Sequence, residues 1–385
     1  MVNYVFLSVY FYSVPNLRFN GYTENWQKYR TIELGQMQRG KSKHRPRDDE
    51  KLYGGAYPFI QTGDIKKANL YIKEYERTYS NYGLSQSKLW SKGTLCITIA
   101  ANIAETAILG LNACFPDSVI GWISNEKITN NIFIKYYFDF YKTQLKRLSV
   151  GGAQENLNLD KLENVYFHIP TLPEQNDITN LLTKIDELIE TQIKIIDDYN
   201  SLKMGIYNCM FKENYADYKL KQLAYIVKGD QINNDQLLSN GSYYMMNGGA
   251  SPSGYLDSYN VSENTISISE GGNSCGYVQF NSSPFWSGGH CYTIQNVNSA
   301  LIENKYLYHY LKYKEKEIMN LRIGTGLPNI QKKDLENFTI LVPSLLIQRK
   351  NLALFEMLDE KISILNEELA NLQKQKKYLL CNMFI

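Results

Sequence analysis

The sequence lacks the short motifs that mark most active sites. Its 385 residues contain no GxxxxGKS/T phosphate loop, no strand–GxGxxG–helix, no N/D-P-P-Y/F amino-methyltransferase motif and no GxSxG. Pro116-Asp117 followed by Glu126-Lys127 superficially resembles a nuclease metal site. The Glu and the Lys are adjacent rather than spaced to face one ion, so a turn is the better interpretation. We therefore predict no catalytic residue in this chain.

Cysteine and histidine are too scattered to predict a metal site or a disulfide framework. There is no CxxC pair, no HExxH motif and no histidine cluster. His290 stands beside Cys291, and a strand end explains this pair better than a ligand pair. Reduced, mostly buried thiols are typical of cytoplasmic proteins. We therefore expect a cytoplasmic protein without zinc or disulfides; its six cysteines are Cys96, Cys114, Cys209, Cys275, Cys291 and Cys381.

The net charge is only +2, so a nucleic-acid partner has to be argued from local patches. With 44% hydrophobic and 21% charged residues the composition is that of a globular protein, long enough for two or three domains. The first segment, VNYVFLSVYFYSV, is apolar over about a dozen residues, which is too short to span a bilayer. It has no basic segment or cleavage site. We interpret it as a strand or a non-native extension.

One phrase occurs twice in the sequence. LENVYFHIP at residues 162–170 has a near copy, LENFTILVP, at residues 335–343. With Pro170 placed on Pro343, the copies align without a gap from Gly151 and Gly324 to Phe211 and Phe384. The identical pairs include Asn156/Asn329, Leu162/Leu335, Glu163/Glu336, Asn164/Asn337, Gln175/Gln348, Asp186/Asp359, Glu187/Glu360 and Met210/Met383.

Weaker similarities precede each copy. Residues 26–42 resemble residues 218–231, residues 56–65 resemble residues 242–250, and residues 93–109 resemble residues 263–279 with Asn102 on Asn273. The chain therefore consists of two copies of one unit, a globular part and then a helix. We place the globular parts at residues 1–170 and 213–343, and the helices at residues 171–212 and 344–385. One part of the unit is held constant while the other varies.

Each copy of the phrase predicts a strand, a stop and a long helix. Apolar residues alternate with others from 165 to 169, and a proline closes the run. Thr171 and Ser344 offer N-cap hydroxyls, and Pro173 suits a first helical turn. The first helix is predicted from about Glu174 to Asn208.

Both predicted helices carry an apolar stripe in one heptad register. Two such helices pair most simply with each other, and the alternative is that each packs on its own globular part. About 35 residues at about 1.5 Å each would form a rod of roughly 50 Å. The stripe is Leu182, Ile185, Ile189, Gln192, Ile196, Tyr199, Lys203 and Ile206 in the first helix, and Phe355, Leu358, Ile362, Leu365, Leu369, Leu372, Lys376 and Leu379 in the second.

A basic loop is the strongest indication of a nucleic-acid contact. RGKSKHRPRDDEK at residues 39–51 presents five cations before its acidic residues: Arg39, Lys41, Lys43, Arg45 and Arg47. Such a loop favours phosphate contacts, although a solvated loop explains the composition equally well. The corresponding segment after Lys228 is polar, with Asn233 and Asn234. Asparagine can read base edges but is also common in turns.

Several of these segments together resemble the specificity (S) subunit of type I restriction-modification systems. PNLRFNGYTENW at residues 15–26 looks like the opening phrase of that family, and residues 98–122, TIAANIAETAILGLNACFPDSVIGW, look like the core phrase of its target recognition domain. IPTLPEQNDITNLLTKIDELI at residues 169–189 looks like the entry into its conserved helix. The resemblance covers nearly the whole chain from Pro15.

The resemblance implies an α+β fold, a tandem repeat of two target recognition domains joined by two long helices that form an antiparallel coiled coil. Each domain would read one half of a bipartite double-stranded DNA site. Two methyltransferase subunits carrying S-adenosylmethionine would dock on the scaffold, joined by restriction subunits for cleavage. The chain itself would bind no cofactor, carry out no catalysis and contact no membrane.

On this resemblance we expect DNA contacts from the basic loop and from Asn102, Lys228, Asn233, Asn234 and Asn273. Two alternatives stay open, namely the DNA-recognition portion of a fused restriction–methylation enzyme and a coiled-coil protein adaptor. The residues expected at the coiled-coil interface are Leu182, Ile185, Ile189, Ile196, Phe355, Leu358, Ile362, Leu365 and Leu369.

Overall fold

The structure, a computed structural model, describes residues 14–100, 102–149, 157, 159–211, 215–324, 326 and 328–385. The apolar first segment and the first residues of the gap-free repeat, from Gly151, lie outside these ranges. Contacts divide the chain into two units. Unit 1 extends to Lys194 and includes Glu367–Ile385, and unit 2 is Ile195–Asn366.

The described part of unit 1 that precedes unit 2 in the chain contains nine strands and six helices. The strands are β1 (Gln27–Arg30), β2 (Gly35–Arg39), β3 (Tyr53–Phe59), β4 (Tyr71–Ile72), β5 (Arg77–Tyr79), β6 (Leu95–Thr98), β7 (Thr106–Leu109), β8 (Val119–Ser124) and β9 (Tyr166–Ile169). The helices are α1 (Thr31–Leu34), α2 (Thr62–Lys67), α3 (Asn81–Ser85), α4 (Asn131–Ser149), α5 (Leu159–Glu163) and α6 (Leu172–Met210), the last of which continues into unit 2.

The main sheet of unit 1 has the strand order β2-β8-β6-β7-β4. Its central strands β6 and β7 are buried along their whole length, because both faces of the sheet are covered. Leu95 and Ile97 of β6 pack in one core with α4, and Cys96 between them packs in a second core with Ile65 of α2. The apolar run of β6 is therefore the sequence of a strand buried on both faces.

Unit 2 contains another nine strands in the described part of the chain. They are β10 (Ala216–Lys219), β11 (Tyr225–Lys228), β12 (Tyr243–Met246), β13 (Gly254–Leu256), β14 (Thr265–Ser269), β15 (Val278–Asn281), β16 (Trp286–Ser287), β17 (Cys291–Gln295) and β18 (Thr339–Val342). Its helices are α7 (Leu220–Leu223), α8 (Asn304–Tyr313), α9 (Glu315–Met319), α10 (Lys332–Glu336) and α11 (Leu345–Met383), which continues into unit 1.

The two units repeat one sheet, although their sequences have diverged. The order β11-β17-β14-β15 in unit 2 matches β2-β8-β6-β7 in unit 1, and every one of these neighbouring pairs is antiparallel. The register matches too, since one row across three strands reads Arg39, Ile120 and Ile97 in unit 1 and Lys228, Tyr292 and Ile268 in unit 2. The fold is thus a tandem α+β repeat that extends well upstream of the repeated phrase.

The repeated phrase is a strand in both units, as the alternation predicts. β9 pairs with β1 and β18 pairs with β10, both antiparallel. Phe167 and Ile169 point into the core, whereas Tyr166, which precedes them, is half exposed. The helix that follows begins at Leu172, two residues earlier than predicted, because a proline in the first turn removes only an amide that has no intrahelical acceptor.

The long helices α6 and α11 are each 39 residues, which corresponds to about 58 Å of helix. Every residue of both predicted stripes is buried or half-buried, whereas Leu188 and Leu202 on the wider apolar face of α6 are 55% and 52% exposed. In each unit the helices run antiparallel. In unit 1, Gln192 of α6 donates to Glu368 of α11, and earlier along α6 Asp186 contacts Lys376 further along α11.

One lysine in each stripe pairs with an aspartate of the opposite helix. In unit 1, Lys376 lies 2.6 Å from Asp186, which is 2% exposed and also accepts a 2.8 Å hydrogen bond from the Tyr136 hydroxyl. In unit 2, Lys203 pairs with Asp359. The ion pair of unit 1 is buried, and a buried pair favours the helix register in which its two charges meet.

His309 occupies the place in unit 2 that Tyr136 has in unit 1. Its Nδ1 atom lies 3.8 Å from Asp359 but only 2.8 Å from the Tyr207 hydroxyl. Burial, and then the charge of Lys203, lower the pKa of His309 to about 3. The imidazole is therefore neutral near pH 7, and Lys203 is the cation that balances Asp359.

A buried glutamine anchors the start of each long helix to its sheet domain. The Gln175 amide nitrogen donates to the carbonyl oxygens of Ile128 and Pro170 at 2.8 and 2.9 Å, and its oxygen accepts from Thr129 Oγ1 at 2.8 Å. Gln175 and Gln348 are both fully buried. Gln348 repeats the arrangement in unit 2 with Leu301, Pro343 and the backbone amide of Glu303.

Replacing this glutamine should therefore destabilise unit 1. Gln175→Ala removes three hydrogen bonds and leaves two buried carbonyl groups without a donor, so we expect a loss of about 2–4 kcal/mol in the free energy of unfolding. Urea denaturation followed by circular dichroism measures the loss. Gln373→Ala, an exposed glutamine of α11, is the matched control. A loss for Gln175→Ala no larger than that of the control would contradict the anchoring role.

Candidate nucleic-acid interface

The loops at one end of each sheet carry most of the predicted DNA-binding residues. In unit 1 these are the loop after β2, the loop between β6 and β7, and residues 115–118 before β8. Because neighbouring strands are antiparallel, these loops all lie at the end where Arg39 pairs with Ile120 and Thr98 pairs with Val119. We call this the loop end. The other end of the sheet leads through Ile128 to the start of α6.

The five cations of the basic loop, Arg39, Lys41, Lys43, Arg45 and Arg47, are all exposed. Arg47 donates two 2.9 Å hydrogen bonds to the carboxylate of Asp117, and Arg45 lies 3.8 Å from the same carboxylate. Arg39, Lys41 and Lys43 have no carboxylate partner among the described residues. These three cations are therefore the ones free to neutralise a phosphate.

The basic loop is held in place by its backbone. The Lys41 carbonyl accepts from Ser87 Oγ at 2.8 Å, and the Lys43 amide donates to the Gln86 carbonyl at 3.1 Å. Gly40 packs so closely on residues 115–116 that a Cβ there would lie 2.3 Å from a carbonyl oxygen. The cations thus project from an ordered segment rather than from a free loop.

Asn102 lies at the same loop end, in the hairpin between β6 and β7. Its side chain is exposed, and its backbone has a left-handed conformation with φ of 48°. Asparagine tolerates this conformation better than most residues. The Thr98 hydroxyl donates to its carbonyl. Asn102 therefore begins a tight turn, in which its carbonyl accepts from the Glu105 amide, and its side chain is exposed.

In unit 2 the loop end contains Lys228, at the end of β11, and Glu270, directly after β14. Lys228 lies 2.6 Å from Glu270 Oε1, which also accepts a 3.0 Å hydrogen bond from the Tyr292 hydroxyl. Glu270 Oε2 lies 3.5 Å from His290 Nδ1. Burial, and then the hydrogen bond to Glu270, raise the pKa of the Tyr292 phenol. One buried carboxylate thus connects two exposed side chains at the surface.

The predicted asparagines of unit 2 are distributed over two loops. Asn273 is exposed in the loop between β14 and β15, which corresponds to the hairpin of Asn102. Asn233 is exposed in the loop after β11, and its backbone amide donates to Gln236. Asn234 begins a short 3-10 helix, and its side chain lies outside the described residues. The structure brings Lys228 and Asn273 to one sheet end.

Each of the two repeated sheet domains matches a known family of protein domains. The family model for the type I restriction modification DNA specificity domain matches residues 23–197 and, a second time, residues 212–374. The chain belongs to this family. The two matches correspond to the two repeated sheets with their long helices.

Relatives of these specificity domains occur in bacteria and archaea. A predicted type I specificity subunit from Mycoplasma pneumoniae is 34% identical over 155 residues, which cover 40% of this chain and only 41% of the relative. The specificity subunit of the type I restriction enzyme MjaIX from Methanocaldococcus jannaschii is 24% identical over 409 residues, with 93% of this chain and 92% of that protein covered.

A crystal structure of a type I restriction-modification S subunit from M. genitalium has the same fold as this chain. The TM-score is 0.67 at 19% identity, and the likeness covers 97% of this chain and 99% of the other. At that identity the likeness shows the fold alone.

Asp117 was considered above as part of a metal site, and the first segment as a membrane span. Asp117 pairs with arginines of the basic loop, as described above, and no group of histidine, cysteine or acidic residues suited to a metal ion occurs in the described part of the chain. Within the same ranges no helix combines the length and the hydropathy that a membrane span needs.

Sequence reasoning missed Glu270 and Tyr292 and interpreted His290 only as part of a strand end. His290 does lie immediately before β17, and Cys291 is buried. The available signal was the acidic residue that directly follows the strand TISIS, at the position where the first specificity domain has Ile99. A pairwise comparison of the two copies at that strand would have singled out Glu270.

We expect the unpaired cations of the basic loop to contact DNA phosphates. Replacing Arg39, Lys41 and Lys43 together by alanine should weaken binding to all duplexes and lower the slope of log K against log salt by about 2 to 3, because each neutralised phosphate contributes about 0.9. Fluorescence anisotropy at several salt concentrations measures both quantities.

The matched control replaces three exposed lysines of unit 1 outside the loop end, Lys66, Lys127 and Lys184, by alanine. Both triple variants lose the same charge. An equal change of affinity and slope in the two variants would assign the effect to net charge and not to the basic loop.

Proposed function

We propose that this chain is the DNA-specificity subunit of a type I restriction-modification complex and binds a bipartite DNA target. The observation that carries the proposal is the repeated sheet, which presents a loop end in each unit, together with two long helices of one register. Two readers on a repeated scaffold suit two half-sites at a set separation. The chain contributes recognition and no catalysis.

The two half-sites should differ in sequence. The loop end of unit 1 offers mostly free cations, whereas that of unit 2 offers a lysine paired with a buried acid, flanked by Asn273 and Asn233. Cations fix a protein on the phosphate backbone, and amide side chains are suited to adenine edges in the major groove. Different loop chemistry therefore favours an asymmetric target.

The methylating activity would belong to partner subunits. We infer two methyltransferase subunits that bind S-adenosylmethionine, and restriction subunits that join for cleavage. The long helices carry exposed apolar side chains that docked subunits would cover. They include Leu188 and Leu202 on α6 and Met357 on α11, which is 59% exposed. A cytoplasmic location agrees with these partners.

The proposal is tested by mapping methylated adenines in plasmid DNA modified by this chain together with its methyltransferase. We expect one motif of two short, different half-sites with unspecified bases between them. Methylation that requires only one half-site, or that needs no specificity chain, would contradict the proposal. The methyltransferase expressed without this chain is the control.

The long helices are expected to set the separation of the half-sites. One heptad inserted after Ile189 and one after Ile362 lengthen both helices by about 10 Å, equivalent to roughly three base pairs, and keep the apolar register. The spacer of the methylated motif should grow by that amount while each half-site stays unchanged. An unchanged spacer in a folded, active variant would exclude the helices as the measuring element.

A further inference from the structure

Glu270 has a positional counterpart in unit 1, so the same sheet position can be compared between the two units. The Glu270 amide donates to the His290 carbonyl at 2.9 Å, as the Ile99 amide donates to the Ser118 carbonyl at 3.0 Å. The Glu270 carbonyl accepts from the Ile330 amide, as the Ile99 carbonyl accepts from the amide of residue 157. Glu270 therefore occupies the position of Ile99.

Tyr292, whose hydroxyl contacts Glu270, also occupies a position that has an isoleucine in unit 1. Tyr292 of β17 has the strand position that Ile120 has in β8, since each pairs with the last residue of the edge strand, Lys228 or Arg39. Ile99 and Ile120 are buried in the apolar core of unit 1. The same sheet is thus built with two isoleucines in one unit and with an acid and a phenol in the other.

A buried carboxylate is costly for a fold that does not need it. Glu270 is only 7% exposed, and taking a carboxylate out of water has a desolvation cost that an ion pair only partly offsets. Unit 1 shows that isoleucine fills this position. The acid in unit 2 therefore serves a purpose other than packing the sheet.

The contacts of the carboxylate indicate what that purpose is. Its Oε1 atom holds Lys228 and its Oε2 atom faces His290 without a hydrogen-bond partner among the described residues. The carboxylate itself is buried, whereas the side chains of Lys228 and His290 are 51% and 61% exposed. Glu270 thus acts on the surface only through these two residues.

Glycines lie next to this group. Gly271 and Gly272 follow Glu270, and Gly248 lies against His290, since a Cβ added to Gly248 would lie 3.1 Å from His290 Cβ. Gly248 and Gly272 have φ of 77° and 76°, where only glycine is unstrained. The backbone beside Lys228 and His290 therefore carries no side chain at these three positions.

We propose that Glu270 is a positioning residue that holds Lys228 beside His290 at the loop end of unit 2, so that the two side chains form a paired contact for a DNA phosphate. The inference rests on the proposed DNA-binding function and extends it to the residues by which the second domain holds its half-site. Lys228 retains two N–H donors besides the one directed at Glu270, and these two reach the phosphate.

The direction in which Glu270→Gln changes DNA affinity distinguishes a positioning role from an effect of net charge alone. Removing a negative charge from a DNA-binding face should tighten binding if only the net charge matters. If Glu270 positions Lys228, the same variant should bind a random-sequence duplex about five- to tenfold more weakly, and the salt slope should fall by up to about 0.9. Fluorescence anisotropy of the full chain measures both.

Lys228→Ala provides the comparison for this measurement. The double variant Glu270→Gln with Lys228→Ala should lose hardly more DNA affinity than either single variant, because both substitutions remove the same phosphate contact. Additive losses would mean that Glu270 acts independently of Lys228 and would overturn the inference. So would tighter binding by Glu270→Gln, or a changed base preference with an unchanged salt slope, which would make Glu270 a base reader.

A second variant keeps the test valid if Glu270→Gln unfolds. Glu270→Ile with Tyr292→Ile gives unit 2 the residues of unit 1, so the melting temperature should stay the same or rise while DNA binding weakens as in Glu270→Gln. Full DNA affinity in this folded variant would overturn the inference. If the wild-type chain binds no duplex at all, the proposed DNA-binding function fails instead, and the two failures are distinguishable.

Discussion

Both cores depend on the residue that directly follows each long helix. After the end of α11, Phe384 enters the core of unit 1, where its ring centroid lies 5.3 Å from that of Phe133 and 6.4 Å from that of Trp26. Phe211, directly after α6, packs in the same manner in the core of unit 2, 5.1 Å from Tyr310. Each core is therefore completed by a helix that begins in the other unit, and neither sheet domain is a closed module without it.

This dependence explains which part of the repeat stayed similar. The segment around each long helix has to satisfy its own domain at the start and a second core at the end. Gln175 and Gln348 meet the first requirement with three hydrogen bonds each, two of them to matching carbonyl groups, and Phe211 and Phe384 meet the second. A substitution there disturbs either the anchor at the start of a helix or the core at its end. The loops at the far end of each sheet have no such double constraint.

The loop ends were therefore able to diverge on an unchanged sheet. Four strands keep one order and register in both units, yet one unit presents free cations and the other a buried acid with its partners. Recognition loops on a rigid scaffold are a common division of roles, because loops tolerate sequence change that cores do not. Such a division lets one scaffold carry two different sets of surface loops.

Local sequence determined the repeat, both long helices, their apolar stripes and the strand in LENVYFHIP, because heptad and alternating patterns depend on residues close in the chain. The basic loop was also visible from its composition. What the sequence could not determine is which cations remain free, since Arg47 and Asp117 are 70 residues apart and meet only in the folded sheet. The pairing of Lys228, Glu270 and His290, and the exposure of Leu188 and Leu202, were likewise decided by tertiary structure. Charge partners and solvent exposure are set by contacts between distant segments, and no local pattern encodes those contacts.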